Sequence, residues 1–309
     1  PTLCLLMELE VWPNFVDVAC RRSVPVVVVN GRISDRSFAS YRRFRWLIRG
    51  FFGKIDLVLA QTEEYAGRFR TLGCPAERVV VTGSLKYDTA QVAERVEGAE
   101  TLAGELNLAG ERLWVAGGTG NDEEKIILRV YRSLKEDPSF ADLRLAIVPR
   151  KPERFDEVTQ WIEQMGLPLL RYSQIKGRPD HAVPDANAVI LGDTMGDLRK
   201  FYSLATVVFV GRSLVPMGGS DMMEAAALGK CTIFGPHAFN FRQTVEALLA
   251  EKGAIEVVDG DELMVVLTKC FTDPAYAETI AQRGRQVILN NQGATARTID
   301  HITRRLQSL

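Results

Sequence analysis

Residues 208–230 read VFVGRSLVPMGGSDMMEAAALGK. A run of strand formers, Val207 to Val210, ends at Gly211, and a loop with Pro216 and the pair Gly218-Gly219 follows. The alanine-rich stretch after it, stopping at Gly229, predicts a helix. Strand, glycine-rich loop and helix in that order make half of a βαβ unit, and a fold of that kind places its ligands at the strand exits. Glu224 falls in the first predicted helical turn, four residues after Ser220. Two explanations are open. The glycines let a ligand approach the backbone, the helix start favours a phosphate, and Glu224 could accept hydrogen bonds from a ribose diol. Alternatively, Ser220 is an N-cap, and Asp221 and Glu224 complement the helix dipole.

The same rhythm extends in both directions. Continuous apolar runs recur at 3–7, 25–30, 57–61, 78–83, 113–118, 143–150, 188–193, 207–211, 231–235 and 254–259. They do not alternate with polar residues, so both sheet faces should be covered. Helical patterns at 35–52, 63–72, 121–136, 152–165, 196–204, 221–228, 242–251 and 260–271 separate most of them, which predicts α/β architecture with doubly wound parallel sheets. The acidic stretch 87–110 divides four strands from six, predicting domains at 1–105 and 106–309. Two helices, about 274–291 and 294–308, close the chain, and the last could pack back on the first domain.

Composition narrows the class. The chain has 309 residues, 46% of them hydrophobic, which suits two cores better than one. Lysine and arginine total 38 against 39 acidic residues, so overall charge gives no argument for nucleic acid. Five scattered cysteines without a C-x-x-C spacing fit reduced thiols, and His181, His237 and His301 are too dispersed for a zinc site. No metal and no cofactor are expected. No apolar run reaches the roughly 18 residues that span a bilayer. The chain opens at Pro1 inside an apolar strand, LCLLM, as expected of a fragment whose start is missing.

Several strand exits carry chemistry. Neither a P-loop nor a G-x-G-x-x-G fingerprint occurs, although GGTGNDEE (117–124) could set backbone N–H groups near an anion or be a plain tight turn. Arg150 follows AIVP and Lys86 follows VTGSL, two positions where a cation can neutralise a leaving phosphate. Glu8 and Glu10 stand two apart in MELEVWPNF, as a site for hydroxyls and protons or as partners of arginines such as Arg32 or Arg36. From Arg32 to Lys54 inclusive the chain carries seven basic residues and one acid. There Phe44, Leu47, Ile48 and Phe51 form an apolar stripe beside Arg42, Arg45 and Arg49. That basic helix, near 36–54, suits a core contact with a solvated face or an anionic lipid surface.

In order, the segments MELEVWPNF, PVVVVNGRISDRS, VTGSLKYD, VPRKPERFDEV, GDTMGDLRKFYSLATVVFVG, SLVPMGG, EAAALGK and FGPHAFNF resemble the bacterial Kdo transferases. These enzymes move 3-deoxy-D-manno-octulosonic acid (Kdo) from CMP-Kdo onto a lipid A precursor at the cytoplasmic face of the inner membrane. The resemblance implies a GT-B fold, with two Rossmann-like domains facing a cleft and the first incomplete, and an inverting, metal-free transfer. Lys86 and Arg150 would stabilise the leaving group, and Glu8 and Glu10 would face the acceptor. Pro149, Gly192, Asp193, Met195, Gly196, Gly211, Ser213, Gly218, Gly219, Ser220, Glu224 and Asn240 would line the donor pocket. The implied partners are CMP-Kdo, an anionic lipid A precursor and the membrane surface. The chain departs from the family pattern at Ser220-Asp221, at Ala225, at Arg212 where glycine is usual, and at GGTGNDEE. In the family, the proposed general base precedes the region where this chain opens.

Overall fold

The valine run 26–29 shows why the strands carry no alternation. Val26 and Val28 pack into one core with Val16, Ile33, Phe52 and Phe69, while Val27 and Val29 pack on the opposite face with Leu59 and Ile302. The computed structural model describes residues 1–8, 12–108, 110–178 and 185–307. Its strands are β1 (Cys4–Met7), β2 (Val26–Gly31), β3 (Leu57–Ala60), β4 (Val79–Val81), β5 (Arg112–Thr119), β6 (Leu143–Pro149), β7 (Leu169–Arg171), β8 (Val189–Leu191), β9 (Val207–Val210), β10 (Cys231–Phe234) and β11 (Ile255–Glu256). Every pairing is parallel.

Two units result, Pro1–Thr89 with Asn291–Leu309, and Ala90–Asn290. The first holds a four-stranded sheet in the order β1-β2-β3-β4. The closing helix Ala294–Gln307 belongs to it, covering one sheet face through Ile302. Arg305 pairs with Asp56 at 2.8 Å, and Asp88 accepts the backbone N–H groups of Gly293 (2.6 Å) and Thr295 (2.5 Å). The units divide at Thr89/Ala90, whereas the sequence suggests 105/106. Within the intervening stretch, helix Ala99–Glu105 buries Leu102, and Glu105 accepts bonds from Tyr172 and Gly177 of the second unit.

The second unit's sheet runs β11-β10-β9-β5-β6-β8-β7. From β5 the chain builds to one side, laying β6 beside it, β7 at the edge and β8 between them, then returns to lay β9 on the other side of β5. The order therefore reverses between β5 and β9, and the carboxyl ends of these strands flank the switch point where open α/β sheets hold ligands. Helix Pro13–Arg21 has no counterpart in the sequence pattern, and other elements depart from it. β7 is a three-residue edge strand, too short to show as an apolar run. The pattern at 35–52 is two helices, Asp35–Arg43 and Arg45–Phe52, broken at Phe44 (φ −107°, ψ 24°).

Candidate functional site

At the switch point, Thr119, Gly120 and Asn121 after β5, Arg150, Lys151 and Arg154 after β6, and Arg212 and Met217 after β9 enclose a cavity of about 260 Å³. A larger depression of about 430 Å³ lies between helices Glu123–Lys135 and Gly260–Thr272, on the helical flank and away from the strand ends. Position in the topology, not volume, singles out the first.

Two buried carboxylates behind the lining brace the residues that form it. Glu123, fully buried at the first position of its helix, accepts the backbone N–H groups of Arg212 (2.6 Å), Ser213 (2.9 Å) and Leu214 (2.8 Å). Burial pushes its carboxyl up to about 7 against the pull of those three bonds. Glu124, also fully buried, accepts the Thr119 hydroxyl at 2.8 Å and pairs with Arg154 at 3.1 Å. Both acids stand in GGTGNDEE, and sequence reasoning missed their role. Their signal is a pair of carboxylates directly behind a glycine turn; the partners of Glu123 and the Arg154 partner of Glu124 are distant in sequence.

The loop of residues 211–222 is closed by its own contacts, where its glycines suggest an opening for a ligand. Gly218 (φ 90°) and Gly219 (φ 82°) lie in the left-handed region. A Cβ on Gly218 would come within 2.1 Å of Asn240 Nδ2. The N–H groups of Gly219 and Ser220 donate to the carbonyls of Arg212 and Gly211, so neither is open to an anion. The Ser220 hydroxyl donates to Gly118 O at 2.8 Å, and the helix begins only at Met223, whose N–H bonds the Asp221 carboxylate. Ser220 is therefore no N-cap, and the helix Met223–Ala227 is five residues long. Glu224 is its second residue. Burial raises its carboxyl above the ordinary value; Arg199 and Arg150 oppose this and Asp221 adds to it. Nearby, the hydroxyl of fully buried Tyr202 has no hydrogen-bond partner among the described residues.

The other sequence-predicted residues separate into groups. Pro149 ends β6, and Arg150, exposed, donates its N–H to Thr119 O at 3.1 Å. Gly211 packs on Thr119, where a Cβ would lie 2.6 Å from its Cα. The Ser213 hydroxyl is spent inside the fold, donating to Val210 O and accepting Gly235 N–H. Asp193 is engaged by Arg171 (2.7 Å) and Ser173, while Gly192 bonds Ile147 O. Met195 is exposed and Gly196 takes φ 86°. Asp197, unassigned in the sequence, holds that turn; burial pulls its carboxyl up, but Lys176, Thr194 and Lys200 outweigh it and bring it down to about 2. In the first unit, Glu8 lies past β1 with φ 54° and accepts both Nε and Nη2 of Arg32, the ion-pair alternative. Glu10 falls outside the described residues. Lys86 is exposed at the first position of helix Lys86–Thr89. Of the predicted stripe, Ile48 and Phe51 pack on the core, whereas Phe44 and Leu47 stay exposed beside Trp46, itself 81% exposed.

Comparison with known proteins places this geometry among relatives. The family described as 3-deoxy-D-manno-octulosonic-acid transferase (kdotransferase) matches residues 1–89. The 3-deoxy-D-manno-octulosonic acid transferase of Haemophilus influenzae is 33% identical over 302 residues, spanning 97% of this chain and 69% of that protein. The enzyme of the same name from Bordetella pertussis is 32% identical over 304 residues, spanning 97% and 68%. Among solved structures, the C-terminal CMP-Kdo binding domain of WaaA from Acinetobacter baumannii matches with TM-score 0.56 and 29% identity, over 62% of this chain and 96% of that domain. UDP-GlcNAc 2-epimerase from Neisseria meningitidis bound to UDP-GlcNAc matches at TM-score 0.59 but 13% identity, over 98% and 76%, and shares the fold alone.

Proposed function

Because the chain belongs to the 3-deoxy-D-manno-octulosonic acid transferases, glycosyltransferases of GT-B fold, we propose that it transfers Kdo from CMP-Kdo to an anionic lipid A precursor with inversion. The observation that carries this reading is the cationic cavity at the switch point between β5 and β9. An acceptor hydroxyl attacks the anomeric carbon opposite the phosphate. The bond from that carbon to the phosphate oxygen breaks, CMP leaves with the electron pair, and the acceptor proton passes to a base. Arg150 neutralises the charge that grows on the leaving phosphate. Glu224, kept half-buried beside Arg150 and Arg199, accepts a hydroxyl of the ribose or the sugar.

Gly211, Ser213, Gly218, Gly219, Ser220 and Asn240 serve this pocket by fixing the loop that shapes it, and Gly192, Asp193, Met195 and Gly196 by forming the neighbouring turn. Lys86 is the cation we assign to the first unit, and Glu8, tied to Arg32, positions rather than removes a proton. The acceptor's lipid is met at the cytoplasmic face of the inner membrane by exposed Phe44, Trp46 and Leu47, flanked by Arg42, Arg43, Arg45 and Arg49. No described helix is long and apolar enough to cross a membrane. A competition panel of CMP, UDP and GDP tests the donor: CMP is expected to bind tightest, and a preference for UDP overturns the assignment.

A further inference from the structure

Arg212 occupies a backbone conformation that resists it. Its φ is 60°, in the left-handed region where glycine is at home and a long side chain is strained. Glu123 holds it there through the Arg212 N–H, and the loop carbonyl Arg212 O is tied by Gly219. The side chain then runs over Gly120, where a Cβ would meet Arg212 Cγ at 3.3 Å, and its Nη2 makes one long bond of 3.4 Å to Met217 O. Its Nε is buried and has no partner among the described residues. Arg212 lines the cavity, and among the described residues its guanidinium makes only that one long bond, so its charge is available to a ligand.

The charges around that cavity decide which one. Arg154 is committed to Glu124 and Glu157, and Lys151 lies 3.6 Å from Glu153. Among the described residues, Arg150 and Arg212 make no salt bridge within 4.0 Å, although Arg150 feels the Glu224 carboxylate at longer range, leaving two cations in one cavity of about 260 Å³. A CMP-linked ulosonic acid carries two anions, the phosphodiester and the sugar carboxylate, both on substituents of the same anomeric carbon. Adjacent anions fit adjacent cations. Resting on the donor assignment above, we infer that Arg212 is a specificity-determining residue that grips the carboxylate of the donor sugar while Arg150 takes the phosphate. Neutral-sugar donors then leave Arg212 unmatched.

The test compares freshly made CMP-Kdo with cytidine 5′-(methyl phosphate), which keeps the phosphodiester and lacks the carboxylate, by calorimetry on the full chain. Arg212→Gly suits the backbone, so the fold survives, as an unchanged melting temperature will record. Its expected effect is about tenfold weaker CMP-Kdo binding with the methyl diester altered less than twofold, since one charge-assisted hydrogen bond is lost. Arg212→Lys keeps part of the preference. Equal weakening of both ligands, or an unchanged ratio between them, overturns the role of Arg212 and leaves the donor assignment standing. If neither ligand binds the wild type, the donor assignment fails and takes this inference with it.

Discussion

Replacing Glu123 probes the wall of the cavity at its foundation. Glu123→Ala removes the acceptor for three backbone N–H groups, those of Arg212, Ser213 and Leu214. At about 1 kcal/mol for each donor left unsatisfied, the low end of the usual range, the loss is roughly 3 kcal/mol. Glu123→Gln keeps one carbonyl oxygen and turns an amide N–H₂ toward donors, so it costs less. The two variants also separate hydrogen bonding from charge. Burial lifts the Glu123 carboxyl from 4.5 to about 7, so the unfolded chain ionises first as pH rises. The folded state thus loses stability between about pH 4.5 and 7, by at most ~3 kcal/mol at ~1.4 kcal/mol per pH unit. Glutamine does not titrate, so its penalty relative to the wild type should shrink from pH 5 to pH 8. Urea unfolding followed through Trp114 and Trp161, with the exposed Trp12 and Trp46 changed to Phe, reports on the second unit alone. An alanine penalty below 1 kcal/mol, or a glutamine penalty identical at both pH values, refutes the clamp.

Two further outcomes follow from the first unit. Asp88→Ala should free the start of helix Ala294–Gln307 at a cost of about 1–2 kcal/mol, seen as faster proteolysis near residue 292. Burial acts upward on the Asp88 carboxyl, but hydrogen bonds from Thr295, Gly293 and Ala294 prevail and hold it below 3.8, so this stabilisation is present above pH 3.8 and lost as pH falls beneath it. The double change Trp46→Glu, Leu47→Glu should abolish sedimentation with vesicles of anionic phospholipid while leaving CMP binding intact; vesicle binding that survives both charges contradicts the membrane role.

What the sequence disclosed tracks how local each cause is. Runs such as Val26–Val29 announce parallel strands because the two sheet faces are covered by different clusters, and a continuous apolar run is what that requires. Arg150 is legible because a cation directly after a buried strand can only lie at a strand exit. The clamp by Glu123 is not, since its partners lie 89 to 91 residues away. The glycine pair 218–219 reads as an opening for a ligand, yet Asn240 fills the space beside Gly218, and local pattern gives no sign of that contact. The helix at Met223 begins later than Ser220 because Ser220 is drawn to Gly118 O and Asp221 takes over the first N–H.

The affinity of the second unit's cavity for a cytidine nucleotide decides whether the donor phosphate sits at the exit of β6. Calorimetry with CMP on the wild type and on Arg150→Ala measures it. Saturable 1:1 binding that weakens at least tenfold in the variant is the predicted result; affinity that is the same in both would contradict the placement of the phosphate at the exit of β6.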